Sequence, residues 1–218
     1  MAGPFPPRVT RHLPAAPVDG QPEERVADRT RLRVGNARPA PTELESEFIR
    51  LRRLSVDDAT NMHAAAMESA AELETTVPWF SRGMTVESFR SFATWAGEAW
   101  DRGEHYELSI LARDGTYLGS AGLTVDARAM AANLQYWVRT SGTRRGVASD
   151  AARLVSRWAI QTLGLQRVEI LISDHNVASQ MAARKSGAHF EGVLRNKIRW
   201  DEHAYDAHIF SFVPSDFA

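Results

Sequence analysis

Two stretches of the chain hold residues whose types and spacing could do chemistry. In the first, Tyr136-Trp137-Val138-Arg139 runs through Ser141, Gly142, Thr143, Arg144, Arg145 and Gly146 into Val147, Ala148 and Ser149. It reads as a strand, a basic loop containing glycine, and the start of a helix. A helix start leaves backbone N–H groups unpaired, and its dipole favours an anion. Glycine at 146 lets the backbone come close to such an anion, and Arg144 and Arg145 add charge-assisted contacts. The combination suits a pyrophosphate. The competing reading is an ordinary helix entry with solvated arginines. Two other phosphate motifs are missing: there is no Gly-x-x-x-x-Gly-Lys-Ser/Thr loop, and no Gly-x-Gly-x-x-Gly follows a first strand.

The second stretch runs from Ser173 to Arg195 and contains Asn176-Val177-Ala178-Ser179, then Gly187 and Phe190-Glu191-Gly192-Val193-Leu194-Arg195. Asn176 suits a helix N-cap, with Ser179 three residues on in the first turn. Standing alone, this stretch says no more than a capped helix.

Elements of both periodicities must position these residues. Alternation over 48–52 predicts a strand, and a helix opens near Val56 with Asp57 as its cap. Pro78 and Gly83 bracket a break around Trp79 and Phe80. Val86, Phe89, Phe92, Ala93, Ala96 and Trp100 fall at helical spacing, closed by Gly103. Strands are expected over 105–111, 117–125 and 133–138, with Asp114-Gly115 as a hairpin turn that needs positive φ at both positions. A strong helix over 147–163 has Ala148, Ala151, Ala152, Val155 and Ala159 on one face. A buried strand over 167–172, a helix over 176–186 and strands over 189–195 and 204–212 complete a mixed α/β layer fold.

Residues 1–43 differ from the rest. Eight of the ten prolines lie before Thr42, with seven arginines and Phe5 as the sole aromatic. This predicts a Pro/Arg-rich extended arm, disordered or docked, ahead of a single domain over 44–218. With no cysteine, disulfides, thiolate metal sites and a cysteine nucleophile are excluded. A net charge of -1 argues against a nucleic-acid protein working through bulk charge, leaving the arginine arm as the weaker basis for one. No apolar run is long enough to cross a bilayer and the N-terminus lacks a secretory pattern, so a cytoplasmic protein with no membrane partner is expected.

Taken together, the two stretches resemble the GNAT superfamily of acyl-CoA-dependent N-acyltransferases, within it the branch of ribosomal-protein N-terminal acetyltransferases. The family's Arg/Gln-x-x-Gly-x-Gly/Ala turn falls on Thr143-Arg144-Arg145-Gly146-Val147-Ala148, with Thr in place of the usual first residue. The Asn-x-x-Ser hallmark and the glycine-aromatic run after it match Asn176, Ser179, Gly187, Phe190, Gly192, Val193, Leu194 and Arg195. The likeness covers residues 48–212.

The resemblance implies the GNAT fold: a mixed, mostly antiparallel sheet with splayed central strands and helices on both faces. It implies acyl-CoA as co-substrate and no metal. The pyrophosphate would lie on Thr143, Arg144, Arg145, Gly146, Val147, Ala148 and Ser149, and the pantetheine arm along the strand holding Gln135 and Val138. The N–H near Val138 would polarise the thioester carbonyl, and an amine would attack it directly. Ser179 is then the general acid for the CoA thiolate, and Asn176 a ligand for the pantetheine or acyl end. The branch can carry a base where this chain has Ile198, which leaves a relayed water, Glu72, Glu74, His175 and Asp206 as candidates to substitute. Trp79 and Phe80 would line the acceptor pocket or else staple the core. The donor is acetyl-CoA or succinyl-CoA. The acceptor is a protein N-terminus, a lysine or a small amine, and a homo-oligomer stays open. The alternative is a GNAT-fold module that binds acyl-CoA without turnover.

Overall fold

A computed structural model describes residues 43–77, 80–200 and 202–218. The Pro/Arg-rich arm, apart from Glu43, and Trp79 lie outside the described residues. The strands in chain order are β1 (Glu43–Glu45), β2 (Ile49–Arg53), β3 (His105–Ala112), β4 (Tyr117–Asp126), β5 (Ala131–Val138), β6 (Arg167–Ser173), β7 (His189–Trp200) and β8 (His203–Phe212). They form one sheet in the order β1-β2-β3-β4-β5-β6-β8-β7. Among the described residues, five α-helices accompany it: α1 (Ala59–Glu68), α2 (Ala70–Thr76), α3 (Val86–Arg102), α4 (Val147–Gln161) and α5 (Val177–Lys185).

Every neighbouring pair is antiparallel except β5 and β6. Those two run parallel, as the crossover through α4 requires. They pair only where Ala131, Ala132 and Asn133 face Arg167, Val168 and Glu169. Beyond Asn133 they part. β4 stays bonded to β5 as far as Val138, and β8 to β6 as far as Ser173, so the gap opens in the middle of an otherwise continuous sheet.

Alternation on the strands divides the core in two. Tyr106, Leu108 and Ile110 of β3 pack with Ala151, Val155, Trp158 and Ala159 of α4 on one face. Leu111, Tyr117 and Trp137 pack with Met62, Ala65, Phe89 and Ala93 of α1 and α3 on the other. Alanines along α4 let that helix lie close to the sheet. Phe89 is 1% exposed, and burying a side chain of its size contributes on the order of 2–3 kcal/mol. On the far side of the sheet, Arg167 of β6 reaches across β8 to the Glu191 carboxylate on β7 (2.7 Å), which also accepts from Ser211 Oγ (2.6 Å).

Local departures from the expected elements each have a physical cause. Ser55, and not Asp57, caps the turn over Val56–Asp58: its hydroxyl accepts from the Asp57 N–H (3.2 Å) while Asp58 accepts from the Ser55 N–H (3.0 Å). Arg52 grips the Asp58 carboxylate with two bonds (2.8 and 2.7 Å) and Ser109 Oγ donates to it (2.8 Å), so Asp58 is committed to tertiary contacts. At the β3–β4 hairpin only Gly115 has positive φ (+89°). Asp114 instead accepts from the Thr116 N–H (2.9 Å), which makes a longer loop with glycine at its left-handed position. The first helical stretch breaks at Ser69, and β1 pairs with β2 as a short strand that the sequence reading did not expect.

Candidate active site

Behind β5 the chain makes a short 3-10 turn, Thr140–Gly142, and then reverses into α4. Arg144 (φ 62°) and Gly146 (φ 82°) both take the left-handed conformation. Gly146 is the N-cap, and no side chain caps the helix. The leading N–H groups of α4 therefore point outward, with the dipole behind them. Thr143 Oγ1 donates to the Thr140 carbonyl (2.8 Å) and Ser149 Oγ to the Gly146 carbonyl (2.9 Å). Thr143, Arg144, Arg145 and Gly146 are exposed, Ala148 and Ser149 are half-buried, and the Val147 side chain is buried in the α4 core. Left-handed residues on either side of Arg145 turn the backbone sharply, in the manner of the nests that hold anions.

The gap between β5 and β6 begins beside this turn. The Arg139 N–H donates back to Leu118 of β4 (2.7 Å), and Val138 stands opposite Gly119. Alternation along the strand then directs the Val138 N–H away from β4, toward the gap. Across the gap, Asn176 Oδ1 accepts from the Ser179 N–H (3.1 Å) and so caps α5. Ser179 Oγ donates to the Tyr136 hydroxyl (3.3 Å), which donates in turn to the Ser179 carbonyl (3.2 Å). Burial pushes the Tyr136 phenol up to about 12, so it stays protonated at any working pH.

A cavity of about 600 Å³ lies at the end of β6, lined by Glu74, Thr75, Asp174, His175, Trp200, His203 and Tyr205. His175 Nε2 lies 3.1 Å from the Thr75 carbonyl and Nδ1 lies 2.7 Å from Ser173 Oγ. A carbonyl only accepts, which assigns the proton to Nε2 and leaves Nδ1 to accept from the Ser173 hydroxyl. The ring meets Tyr205 edge to face at 5.0 Å.

The fold thus brings the turn of 143–149 and the Asn176–Ser179 pair to the same sheet face, through the packing of α4 on α5. It brings Glu74 and His175 together in the cavity. It does not bring Gln135 to the α4 face: that side chain shares the opposite face with Trp137, is exposed, and lies 3.5 Å from Asn133 Oδ1. Phe80 is a core residue of the α1–α3 cluster, as the stapling alternative has it, and is not among the residues that line the cavity. The Asp206 carboxylate accepts from the Asn196 N–H (2.8 Å) at an irregular stretch of β7. Tyr136, Trp200, His203 and Tyr205 were missed by sequence reasoning. For Tyr136 a signal existed, since alternation with Leu134 and Val138 puts it on the α5 side. For the others only the tertiary fold joins the β7–β8 end to α2.

The description Acetyltransferase (GNAT) domain matches residues 49–189. The Bacillus subtilis (strain 168) protein named Probable N-acetyltransferase YjcK is 28% identical over 126 residues, which are 55% of this chain and 70% of that protein. Among solved structures, Mycobacterium smegmatis RimJ in complex with CoA-disulfide superposes with a TM-score of 0.72 at 20% identity, over 81% of this chain and 89% of that one. The ribosomal-protein-S5-alanine acetyltransferase of Vibrio fischeri also gives 0.72, at 15% identity, over 81% and 99%. At those identities the structural likeness speaks for the fold, and the family match speaks for the chemistry. From β2 to the start of β7, with a sheet parted between β5 and β6, the chain belongs to the GNAT acetyltransferase family and is an N-acetyltransferase.

Proposed function

We propose that the enzyme transfers acetyl from acetyl-CoA to a primary amine entering by the cavity at Glu74, Asp174 and His175. The observation that carries this reading is the uncapped start of α4 at Gly146, set at the mouth of the gap between β5 and β6. The CoA pyrophosphate rests on the nest of 143–149 with Arg144 and Arg145 beside it, and the thioester points along the gap. The Val138 N–H polarises the carbonyl as the amine nitrogen attacks. When the tetrahedral adduct collapses, the C–S bond breaks, and the CoA thiolate takes a proton through the Ser179 hydroxyl, which recovers one from solvent in the same step. Tyr136 is the hydrogen-bond partner that fixes the Ser179 side chain.

The amine must shed a proton during transfer. Ser173 Oγ, bonded to His175 Nδ1, is a path for it: the amine proton passes to Ser173 as the Ser173 proton passes to the imidazole. Asp174 Oδ1 lies 3.5 Å from His175 Nδ1 and stabilises the imidazolium formed. Glu74 and Asp174 line the cavity and disfavour a second carboxylate there, which favours acetyl over succinyl. The same acids favour an approaching ammonium.

Purified protein mixed with acetyl-CoA or succinyl-CoA and a panel of N-terminal peptides, lysine peptides and small amines tests the reading. Release of free CoA should be faster with acetyl-CoA and depend on the amine. Tight CoA binding by calorimetry with no transfer to any acceptor would instead establish a module without turnover. Gly146→Glu, which blocks the turn and repels the pyrophosphate, should abolish CoA binding. Unchanged affinity in that variant would refute the assigned turn.

A further inference from the structure

The two strand ends that flank the gap are joined on the α1 side by the α1–α2 junction and the short helix α2. On the last turn of α1, two residues before α2, Glu68 Oε2 accepts from Arg139 Nε (2.9 Å) and also from Arg139 Nη2, while Oε1 accepts from the Ser141 N–H (2.8 Å). Ser69 is buried, and its hydroxyl accepts from the Thr140 N–H (2.9 Å) while donating to the Ala65 carbonyl (2.9 Å). At the trailing end, the Thr75 carbonyl accepts from His175 Nε2 (3.1 Å). So α2 is tied at one end to the loop after β5 and at the other to the loop after β6. Its last turn presents Glu74 and Thr75 to the cavity.

A seven-residue helix has little stability of its own, so outside anchors decide where it sits and how often it opens. The strongest tie beside its leading end is the Glu68 carboxylate at the end of α1, because bonds that involve charged groups are roughly twice as strong as neutral ones. Its partners, Arg139 and Ser141, stand immediately before the turn of 143–149. Arg139 is itself held on the sheet by donation from Nη1 to the Tyr117 carbonyl (3.2 Å). A ligand that stills the turn therefore stills the loop that Glu68 grips, and through it the helix that walls the cavity.

We propose that Glu68 is a positioning residue that couples occupancy of the turn around Gly146 to the placement of α2 at the acceptor cavity. This rests on the assignment of CoA to that turn.

Amide hydrogen exchange with CoA as the probe tests the link. In the wild-type chain, saturating CoA should slow exchange over 143–149 and also over 70–77, each on the order of ten-fold. Glu68→Gln keeps the size but removes the charge. It should retain slowing over 143–149 and lose it over 70–77. Should Glu68→Gln fail to fold by circular dichroism, Ser69→Ala, which removes the acceptor for the Thr140 N–H, is read by the same measure. The proposal is overturned if the variant keeps the CoA-induced slowing over 70–77. It is equally overturned if the wild type shows slowing at the turn and none over α2. Absence of slowing over 143–149 in the wild type would remove the CoA assignment itself, and the coupling with it.

Discussion

At the scale of single residues, Ser179 and Tyr136 carry the sharpest expectations. Their hydroxyls face each other across 3.3 Å, and Tyr136 stays a phenol because burial lifts it to about 12. Ser179 is the group proposed to meet the CoA thiolate, and Tyr136, a phenol that keeps its proton, orients it. Ser179→Ala should lower kcat by about 10²-fold and leave CoA affinity within a few-fold of the wild type. Tyr136→Phe should lower kcat less. Steady-state rates beside calorimetric CoA affinity check both, and an unchanged kcat in Ser179→Ala would take Ser179 out of the mechanism. His175 belongs to the same scale. His175→Gln should slow turnover, because the imidazole is the proposed end of the amine proton's path. An unchanged kcat would exclude the Ser173–His175 path.

At the scale of elements, the critical alignment is that of β4 with β5, since it aims Val138 at the gap. Gly119 makes that alignment feasible. Its φ is +154°, and an added Cβ would lie 2.1 Å from the Trp137 carbonyl oxygen and 3.0 Å from the Val138 Cα. Neither neighbour is a side chain that can swing aside. Gly119→Ala should destabilise the protein by about 2–4 kcal/mol, measured by urea unfolding, and weaken CoA binding as β5 shifts. Wild-type stability in that variant would show that the strands adjust freely.

Much at this level could be read in the amino acids. Gly103 closes α3 in the left-handed form as expected, the alanine face of α4 meets the sheet, and Asn176 caps α5. Where reading failed, a contact distant in the chain decided the outcome. Asp57 looked like a cap, but Ser55 takes that place because Arg52 and Ser109 hold Asp58. The helix break at Ser69 is held by the Thr140 N–H, 71 residues away. The uncapped glycine turn ahead of α4 was legible because its geometry is local backbone. The cavity was not, because α2, the β6–α5 loop and the β7–β8 hairpin meet only in three dimensions. Phe80 stayed open between pocket and core for the same reason, as an aromatic in a loop reads alike whether it faces a ligand or the core.

For the molecule as a whole, two carboxylates tie distant parts together and set how it responds to acid. Hydrogen bonding by Arg139 and by the Ser141 N–H brings Glu68 down to about 2 from the usual 4.5. Arg167, with help from Ser211, does the same for Glu191, also to about 2. Each group is more acidic folded than unfolded, so its stabilisation is fully present above about pH 4.5 and fades as pH falls toward 2. Acid titration followed by circular dichroism should show stability declining through that window. Glu68→Gln and Glu191→Gln should each start less stable at neutral pH and lose less on acidification. An identical acid profile in both variants would mean that neither ion pair contributes.

The brief parallel pairing of β5 with β6 has a mechanical consequence. Each half of the sheet, β1 to β5 and β6 to β8, is laced internally by antiparallel hydrogen bonds, while the backbone join between the halves is three residues long on either strand. That line is where the molecule should give first under heat or tension. A bound substrate lying along it would act as a rivet. Under the proposed placement of acyl-CoA, the cleft that serves catalysis is also the fault along which the protein would come apart, and each occupied turnover briefly mends it.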